Sequence, residues 1–401
     1  MTRMGTLLET AMALDAEFHM RTYGRKPVMF VRGEGMHLFD DDGRDYLDFV
    51  SGIGAVNLGH SHPAVVEAVR EQIGRLTHVS NLYYVEHRDE LARDLVALFG
   101  SPSRVFLCNS GTEATEGAIK LARRWGLAHR GAACHRIVTA ERSFHGRTLA
   151  ALAATGQPSK QEAFEPLPSG FTHVPLNDIA ALEAAVDERT CAVLLEPVQG
   201  EGGVYPCDPG YLAAVRRLCD ERDVLLMFDE VQTGLWRCGT AFAWQHYGVH
   251  PDIAYLAKSL ANGLPAGAII AREEVADAFK PGDHGSTFGG GPVIAAAARA
   301  CLSALQDQSL GENAVAVGEY LRQGLRTLAS RTGAVAEVRG LGLMNALEFV
   351  EPIAVDVAAA GLGKGLVLNS IGTHILRILP PLVCGRAEVD TLLSGIYEAM
   401  E

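Results

Sequence analysis

Two residues in this 401-residue chain stand where side chains of their type do chemistry rather than packing: Asp229 in "VLLMFDEVQTG" and Lys258 in "IAYLAKSLANG". Each follows a short apolar run that reads as a buried strand. A carboxylate buried at such a position costs several kcal/mol unless a cation meets it. A buried lysine beside another cation falls below its ordinary pKa of about 10.4, and its free amine can then form an imine with a carbonyl. Taken alone, Lys258 also reads as a lysine reaching out to solvent.

A third stretch changes that balance. In "CNSGTEATEGAIKLARR" a strand ends at Asn109, Ser110, Gly111 and Thr112 make a turn, and an amphipathic helix opens with Glu113 and Glu116. The first turn of a helix offers unpaired N–H groups and the positive end of its dipole, and Gly111 lets the backbone come close, so a phosphate fits there. An ordinary Ser/Thr N-cap with acids complementing the dipole is the alternative. An aspartate ending a buried strand, a phosphate cradle and a lysine are together the parts that pyridoxal phosphate requires. The cation for Asp229 would be the protonated pyridine nitrogen.

These residues need a scaffold that brings them together. From about 100 to 270, six apolar runs ("RVFLCN", "HRIVTAE", "CAVLLEP", "VLLMFDE", "DIAYLAK", "AGAIIAR") alternate with helical patterns. One such pattern places Ala114, Ala118, Leu121, Ala122 and Trp125 on a single face. Strands apolar on both faces, alternating with helices, predict an α/β fold with a mainly parallel sheet, whose ligands gather at the strands' carboxyl ends. Residues 30–50 read as hairpins with "DDGR" as a turn. The Ala-rich helical pattern from Pro292 to Gln306 leads into a mixed region suited to a smaller α+β domain. The expected division is an N-terminal segment, 1–50, packing with the small domain, a large domain, 51–292, and the small domain itself, 293–401.

In this order the chain carries "YLDFVSGIGAVNLGHSHP", "SNLYY", "NSGTEATEGAIKLAR", "SFHGRT", "LLEPVQGEGGV", "FDEVQTG", "YLAKSLANGLPAGA", "GSTFGGGP" and "LRILPPL". Together they resemble the class III, or ω-, aminotransferases of pyridoxal-phosphate fold type I, over nearly the whole chain. The resemblance implies a seven-stranded large-domain sheet and a homodimer. It makes Lys258 the imine-forming lysine and proton shuttle, pairs Asp229 with the ring nitrogen, and puts Gln232 near the ring hydroxyl. Ser110, Gly111 and Thr112 would take the phosphate, Phe144 would stack on the ring, and Thr287 would reach the phosphate across the dimer interface. Arg377 would grip the α-carboxylate of glutamate or 2-oxoglutarate by a two-point fork. Arg147 would hold the α-carboxylate of an ω-amino acid, and Glu201 would pair with Arg377 whenever that arginine is not needed. Glu196 is a further candidate, ordering the residues behind the site. "SNLYY", "FHGRT" and "LRILPPL" resemble the acetylornithine-converting branch. That implies transfer of the distal amine of N-acetylornithine to 2-oxoglutarate, as in arginine biosynthesis; ornithine, succinylornithine, 4-aminobutyrate and carrier-bound lysine are the alternative donors. Trp236 stands where the family has a small residue and is expected to add bulk near the substrate channel, and Gly291 replaces an asparagine.

Bulk properties narrow the alternatives. A net charge of −13 argues against nucleic acid or an anionic membrane as a general partner. None of the eight cysteines forms a CxxC pair, so they read as core fillers in a reducing compartment. Glu9 interrupts any signal-peptide core and no apolar run spans a membrane, so a cytoplasmic location is expected. His60 and His62 have no third partner for a metal, and Gly340 with Gly342 lack the third glycine of a dinucleotide loop, which leaves an α/β oxidoreductase as the poorer reading.

Overall fold

The computed structural model describes residues 6–400, so the first five residues of the N-terminal segment and Glu401 lie outside it. At the centre is a seven-stranded sheet. In chain order its strands are β1 (Ser103–Cys108), β2 (Arg136–Ala140), β3 (Phe171–Val174), β4 (Thr190–Leu195), β5 (Leu225–Asp229), β6 (Ile253–Leu256) and β7 (Gly267–Arg272). Across the sheet they lie in the order β1-β7-β6-β5-β4-β2-β3. Strands β2 to β6 run parallel, and only β7 is antiparallel to its neighbours β6 and β1. This is the mainly parallel seven-stranded sheet that the resemblance implied.

The apolar runs follow from having both faces covered. Along β5, Leu225 and Met227 enter one core while Leu226 and Phe228 enter another on the opposite face. A strand buried on both sides cannot alternate with polar residues. Six of the strands coincide with the six apolar runs. The seventh, β3, is an edge strand of sequence "FTHV", partly exposed and too polar to register as a run. The helix Gly111–Arg130 lays Ala114, Ala118, Leu121, Ala122 and Trp125 onto the Leu225/Met227 face, as its periodicity predicts. Helices Arg88–Phe99 and Pro209–Arg222 cover the other face.

Two smaller sheets flank this body. Phe30–Glu34, His37–Asp40 and Asp45–Asp48 form antiparallel hairpins, the second turning at Gly43 with φ 80°, where a side chain would be strained. Leu366–Val367 adds to Asp45–Asp48 as a parallel strand, tying the chain's beginning to its end. The other sheet is antiparallel, built from Val335–Leu341, Met344–Phe349, Ile375–Ile378 and Asn369–Ile371. Helix Pro292–Asp307 opens with proline at its first turn and packs against helices Pro63–Ile73 and Arg88–Phe99.

The carboxyl ends of β1, β2, β4, β5 and β6 all lie along one edge of the large sheet. At the end of β5, two adjacent acids part company. Asp229 faces a cavity. Glu230 turns into the fold, where its carboxyl accepts the amides of Ala243 (3.0 Å) and Trp244 (2.9 Å) and the Thr233 hydroxyl, capping helix Ala243–Tyr247. Burial pushes its pKa from 4.5 to about 7. A raised folded-state pKa means that Glu230's contribution to stability is fully present below about 4.5 and is lost as the pH rises through about 7. Urea midpoints should therefore move in favour of Glu230→Gln over wild type across that window. A difference that stays flat with pH would contradict it.

Candidate active site

Lys258 follows β6 and opens a short 3-10 turn, Lys258–Ala261. Its backbone is left-handed, with φ 46°. A residue with a Cβ pays of order 1–3 kcal/mol there, and such strain persists only where the surroundings over-determine it. The lysine lines a cavity of about 410 Å³ at the sheet's carboxyl edge. Burial draws its pKa from 10.5 down to about 8; the carboxylate of Glu201 opposes that fall and the guanidinium of Arg377 adds to it.

Across the cavity, Asp229 is 5% exposed. Its Oδ2 accepts from His145 Nδ1 (2.8 Å) and from the Tyr255 hydroxyl (3.0 Å), and its Oδ1 from the Val231 amide (3.0 Å). Tyr255 sits directly opposite Asp229 in the β5–β6 register, so its ring comes up on the same side. Burial and then the Asp229 charge push the Tyr255 phenol well above its ordinary pKa, so it stays a donor. His145 is anchored through its own backbone: its amide donates to Thr155 Oγ1 (2.9 Å) and its carbonyl accepts from Thr115 Oγ1 (2.7 Å). Neither His145 nor Tyr255 stood out in the sequence. His145 lies beside Phe144 in "SFHG", and Tyr255 is the polar tip in an otherwise apolar strand.

At the helix opening, Ser110 is the N-cap, its Oγ accepting from the Glu113 amide at 3.3 Å. Glu113 turns back to Asn109, taking its backbone amide (2.7 Å) and Nδ2 (2.8 Å). Glu116 takes the amides of Ala150 (3.1 Å) and Ala151 (3.2 Å), capping the helix Leu149–Ala154. The backbone amides of Gly111 and Thr112 have no acceptor among the described residues, and both residues line the cavity. The ordinary N-cap and an open anion cradle are thus both present in one turn.

Phe144 and Arg147 supply another wall. Arg147 is exposed, its guanidinium 5.6 Å from the centre of the Phe144 ring. Glu196 fixes this wall to the next loop, accepting the amides of Phe144 (3.0 Å) and Gly200 (3.1 Å). Burial raises its pKa to about 7, with His145 opposing and Asp229 reinforcing the rise.

Glu201 and Gln232 face the cavity, and Arg377 stands behind them on strand Ile375–Ile378. Arg377 donates Nη1 to Glu201 and, at 3.4 Å, to Gln232 Oε1; Nε and Nη2 are held by Asn369 Oδ1 at 3.0 and 2.8 Å. Burial tends to raise the Glu201 pKa, but Arg377 outweighs it and holds the carboxyl below its ordinary value. At Gly200 a Cβ would lie 2.3 Å from Gln232 Oε1, so any larger residue there would displace the Gln232 amide.

Three further residues do not line the cavity of their own chain. Thr287 is exposed in its glycine-rich loop and does not line the cavity of its own chain. Trp236 also stays out of the cavity wall: its φ of 66° turns it against Gly311, at the start of helix Leu310–Thr332. Gly291 caps helix Pro292–Asp307, away from the cavity. His60 pairs with Asp48 at 2.7 Å, and Gly340 and Gly342 belong to the hairpin joining Val335–Leu341 to Met344–Phe349.

The chemistry of the walls fits pyridoxal phosphate. Unpartnered amides at a helix start suit the phosphate, a buried carboxylate suits a cationic ring nitrogen, and a lysine of depressed pKa suits the aldehyde.

Comparison with known proteins agrees. The family model described as aminotransferase class-III matches residues 19–400. The acetylornithine aminotransferase of Methanocaldococcus jannaschii is 46% identical over 385 residues, covering 96% of each chain. That of Thermosynechococcus vestitus is 49% identical over 392 residues, covering 95% of this chain and 94% of the relative. Among solved structures, the Toxoplasma gondii ornithine aminotransferase superposes with a TM-score of 0.94 at 34% identity, over 98% of this chain and 94% of that one. The Elizabethkingia anophelis acetylornithine aminotransferase gives 0.88 at 35% identity, over 98% of both chains. With a buried lysine, a buried acid and an open helix start converging at one sheet edge, the chain belongs to the class III aminotransferases, enzymes dependent on pyridoxal phosphate.

Proposed function

We propose that the enzyme moves the distal amino group of N-acetylornithine to 2-oxoglutarate, yielding N-acetylglutamate semialdehyde and glutamate. The observation that carries this is the pairing of the two arginines. Arg377 is buried and already neutralised by Glu201, whereas Arg147 is exposed at the cavity wall. A donor fits that arrangement when its carboxylate reaches Arg147 and nothing negative meets Arg377. That describes an ω-amino acid entering amine first. The relatives named acetylornithine aminotransferase support the acetylated donor, and the likeness to an ornithine aminotransferase makes free ornithine the second reading.

When bound, the cofactor supplies an aldehyde carbon for amine exchange and an electron-withdrawing ring. The chain's own groups do the rest. The amides of Gly111 and Thr112, with Ser110 beside them, would hold the phosphate. Asp229, oriented by its three donors, would hold positive charge on the ring nitrogen. Phe144, Val231 and Gln232 line the cavity that would take the ring, with Gln232 the candidate for its hydroxyl. Lys258 would act as the base for the proton on the substrate carbon bearing the amine, a role that its depressed pKa favours. For 2-oxoglutarate, Glu201 swings away and Arg377 forks onto the α-carboxylate.

The enzyme works as a homodimer in which Thr287 of the partner subunit completes the phosphate site. Leu82, Tyr84 and Phe288 are exposed apolar residues in the same region as Asn81, which donates to the Ser286 carbonyl beside Thr287. The eight free, buried cysteines and the lack, among the described residues, of a helix apolar and long enough to cross a membrane support a cytoplasmic location. The division at 1–50, 51–292 and 293–401 is kept as the proposed domain organisation.

A donor panel of acetylornithine, ornithine, 4-aminobutyrate and succinylornithine with 2-oxoglutarate, read as glutamate formed, should show kcat/KM highest for acetylornithine, by about tenfold over ornithine, a gap of about 1.4 kcal/mol. Preference for ornithine or 4-aminobutyrate would reject the donor. In the cofactor-free protein, labelling of Lys258 by a small aldehyde and borohydride, read by peptide mass, should rise with pH and reach half its maximum near 8. A midpoint near 10 would show the amine to be solvated rather than buried.

A further inference from the structure

Glu201 is useful as a switch only if its loop stands at a set distance from Arg377, and the loop's own backbone does not favour its shape. Gly203 has φ 123°, and Val204, a β-branched residue, has φ 59°. Branched side chains are rarely found in that left-handed region, and holding one there costs of order 1–3 kcal/mol. Val204 is nonetheless fully buried.

One side chain meets this strained turn directly. Arg339, 7% exposed, donates Nε to the carbonyls of Gly203 (2.9 Å) and Val204 (3.1 Å), and Nη2 to Gly203 again (2.7 Å). Its remaining nitrogen bonds Glu348 and Glu337, and its guanidinium lies 3.9 Å from the centre of the Tyr205 ring. Arg339 is therefore fixed on every edge.

Strand register ties it to the substrate arginine. Arg339 pairs with Ala346, and Ala346 pairs with Arg377. Directly opposed residues of antiparallel strands project to the same face. The two arginines thus stand in one row, separated by the smallest side chain with a Cβ. One grips the Glu201 carboxylate and the other grips the backbone two and three residues beyond it.

We propose that Arg339 is a positioning residue that holds the Gly203–Val204 turn and so sets Glu201 against Arg377, governing the balance between the two half-reactions. This rests on the reading of Glu201 and Arg377 as the substrate switch. With the turn released, Glu201 no longer neutralises Arg377. The donor, which offers nothing to Arg377, then loses, while 2-oxoglutarate, which needs Arg377 free, does not.

The test measures the two half-reactions of the holoenzyme separately, in single turnovers followed by absorbance. Arg339→Lys keeps the charge but cannot fork onto two carbonyls. It should lower kcat/KM for acetylornithine by about tenfold, the effect of losing one charge-assisted contact, with the 2-oxoglutarate KM unchanged or lower. In a Glu201→Ala background, the same substitution should shift the balance no further. Equal losses in both half-reactions, or a shift that persists without Glu201, would overturn the proposal. If Arg339→Lys does not fold, Glu348→Gln, which only loosens Arg339, should move the balance in the same direction by less, and no movement would overturn the proposal too. A wild-type enzyme that performs neither half-reaction would overturn the switch reading itself, a failure visible before any variant is made.

Discussion

Three carboxylates, Glu196, Asp229 and Glu230, are buried within reach of one sheet edge, and none pairs with a lysine or arginine among the described residues. That is the constraint on which the site depends. Glu196 and Glu230 are occupied by backbone amides and hold structure together: the first binds the Phe144 and Gly200 loops, the second caps a helix. Asp229 has uncharged hydroxyl and amide donors besides His145, and it fronts a cavity. A buried acid supplied with donors yet lacking a fixed cation is poised to receive one. The fold therefore presents a preformed buried acid, which we propose as the partner of the ring nitrogen.

Around that acid, part of the chain's backbone strain borders the cavity. Lys258, Val204 and Arg142 all have positive φ, and all belong to segments that border the cavity or support its walls. Only the rigidity of a sheet covered on both faces makes such backbone affordable, since the strand ends cannot relax independently of the core beneath them.

Much of this was legible in the sequence, for a physical reason. Strands buried on both faces must be apolar throughout, so the polar residue that ends each run marks the sheet's edge. Asp229 and Lys258 were found that way, and the helix opening at Ser110–Thr112 by its turn residues. The edge strand Phe171–Val174 escaped because exposure on one side erases the run. His145 and Tyr255 escaped because their contact with Asp229 arises from strand register and loop packing, which no local pattern encodes. Trp236 was misplaced because a left-handed turn, invisible in composition, points it toward helix Leu310–Thr332. Thr287 is exposed in its own loop, and the contact expected of it lies across a dimer interface.

The most direct measurement of the central claim is a single-turnover comparison of wild type with Asp229→Asn, each loaded with pyridoxal phosphate. If the buried charge serves to hold a cation on the ring, the variant should still bind cofactor and donor, yet turn over at least about 10²-fold more slowly, the usual loss on removing one preorganised electrostatic partner. A turnover rate close to wild type, with cofactor and donor binding intact, would contradict the account.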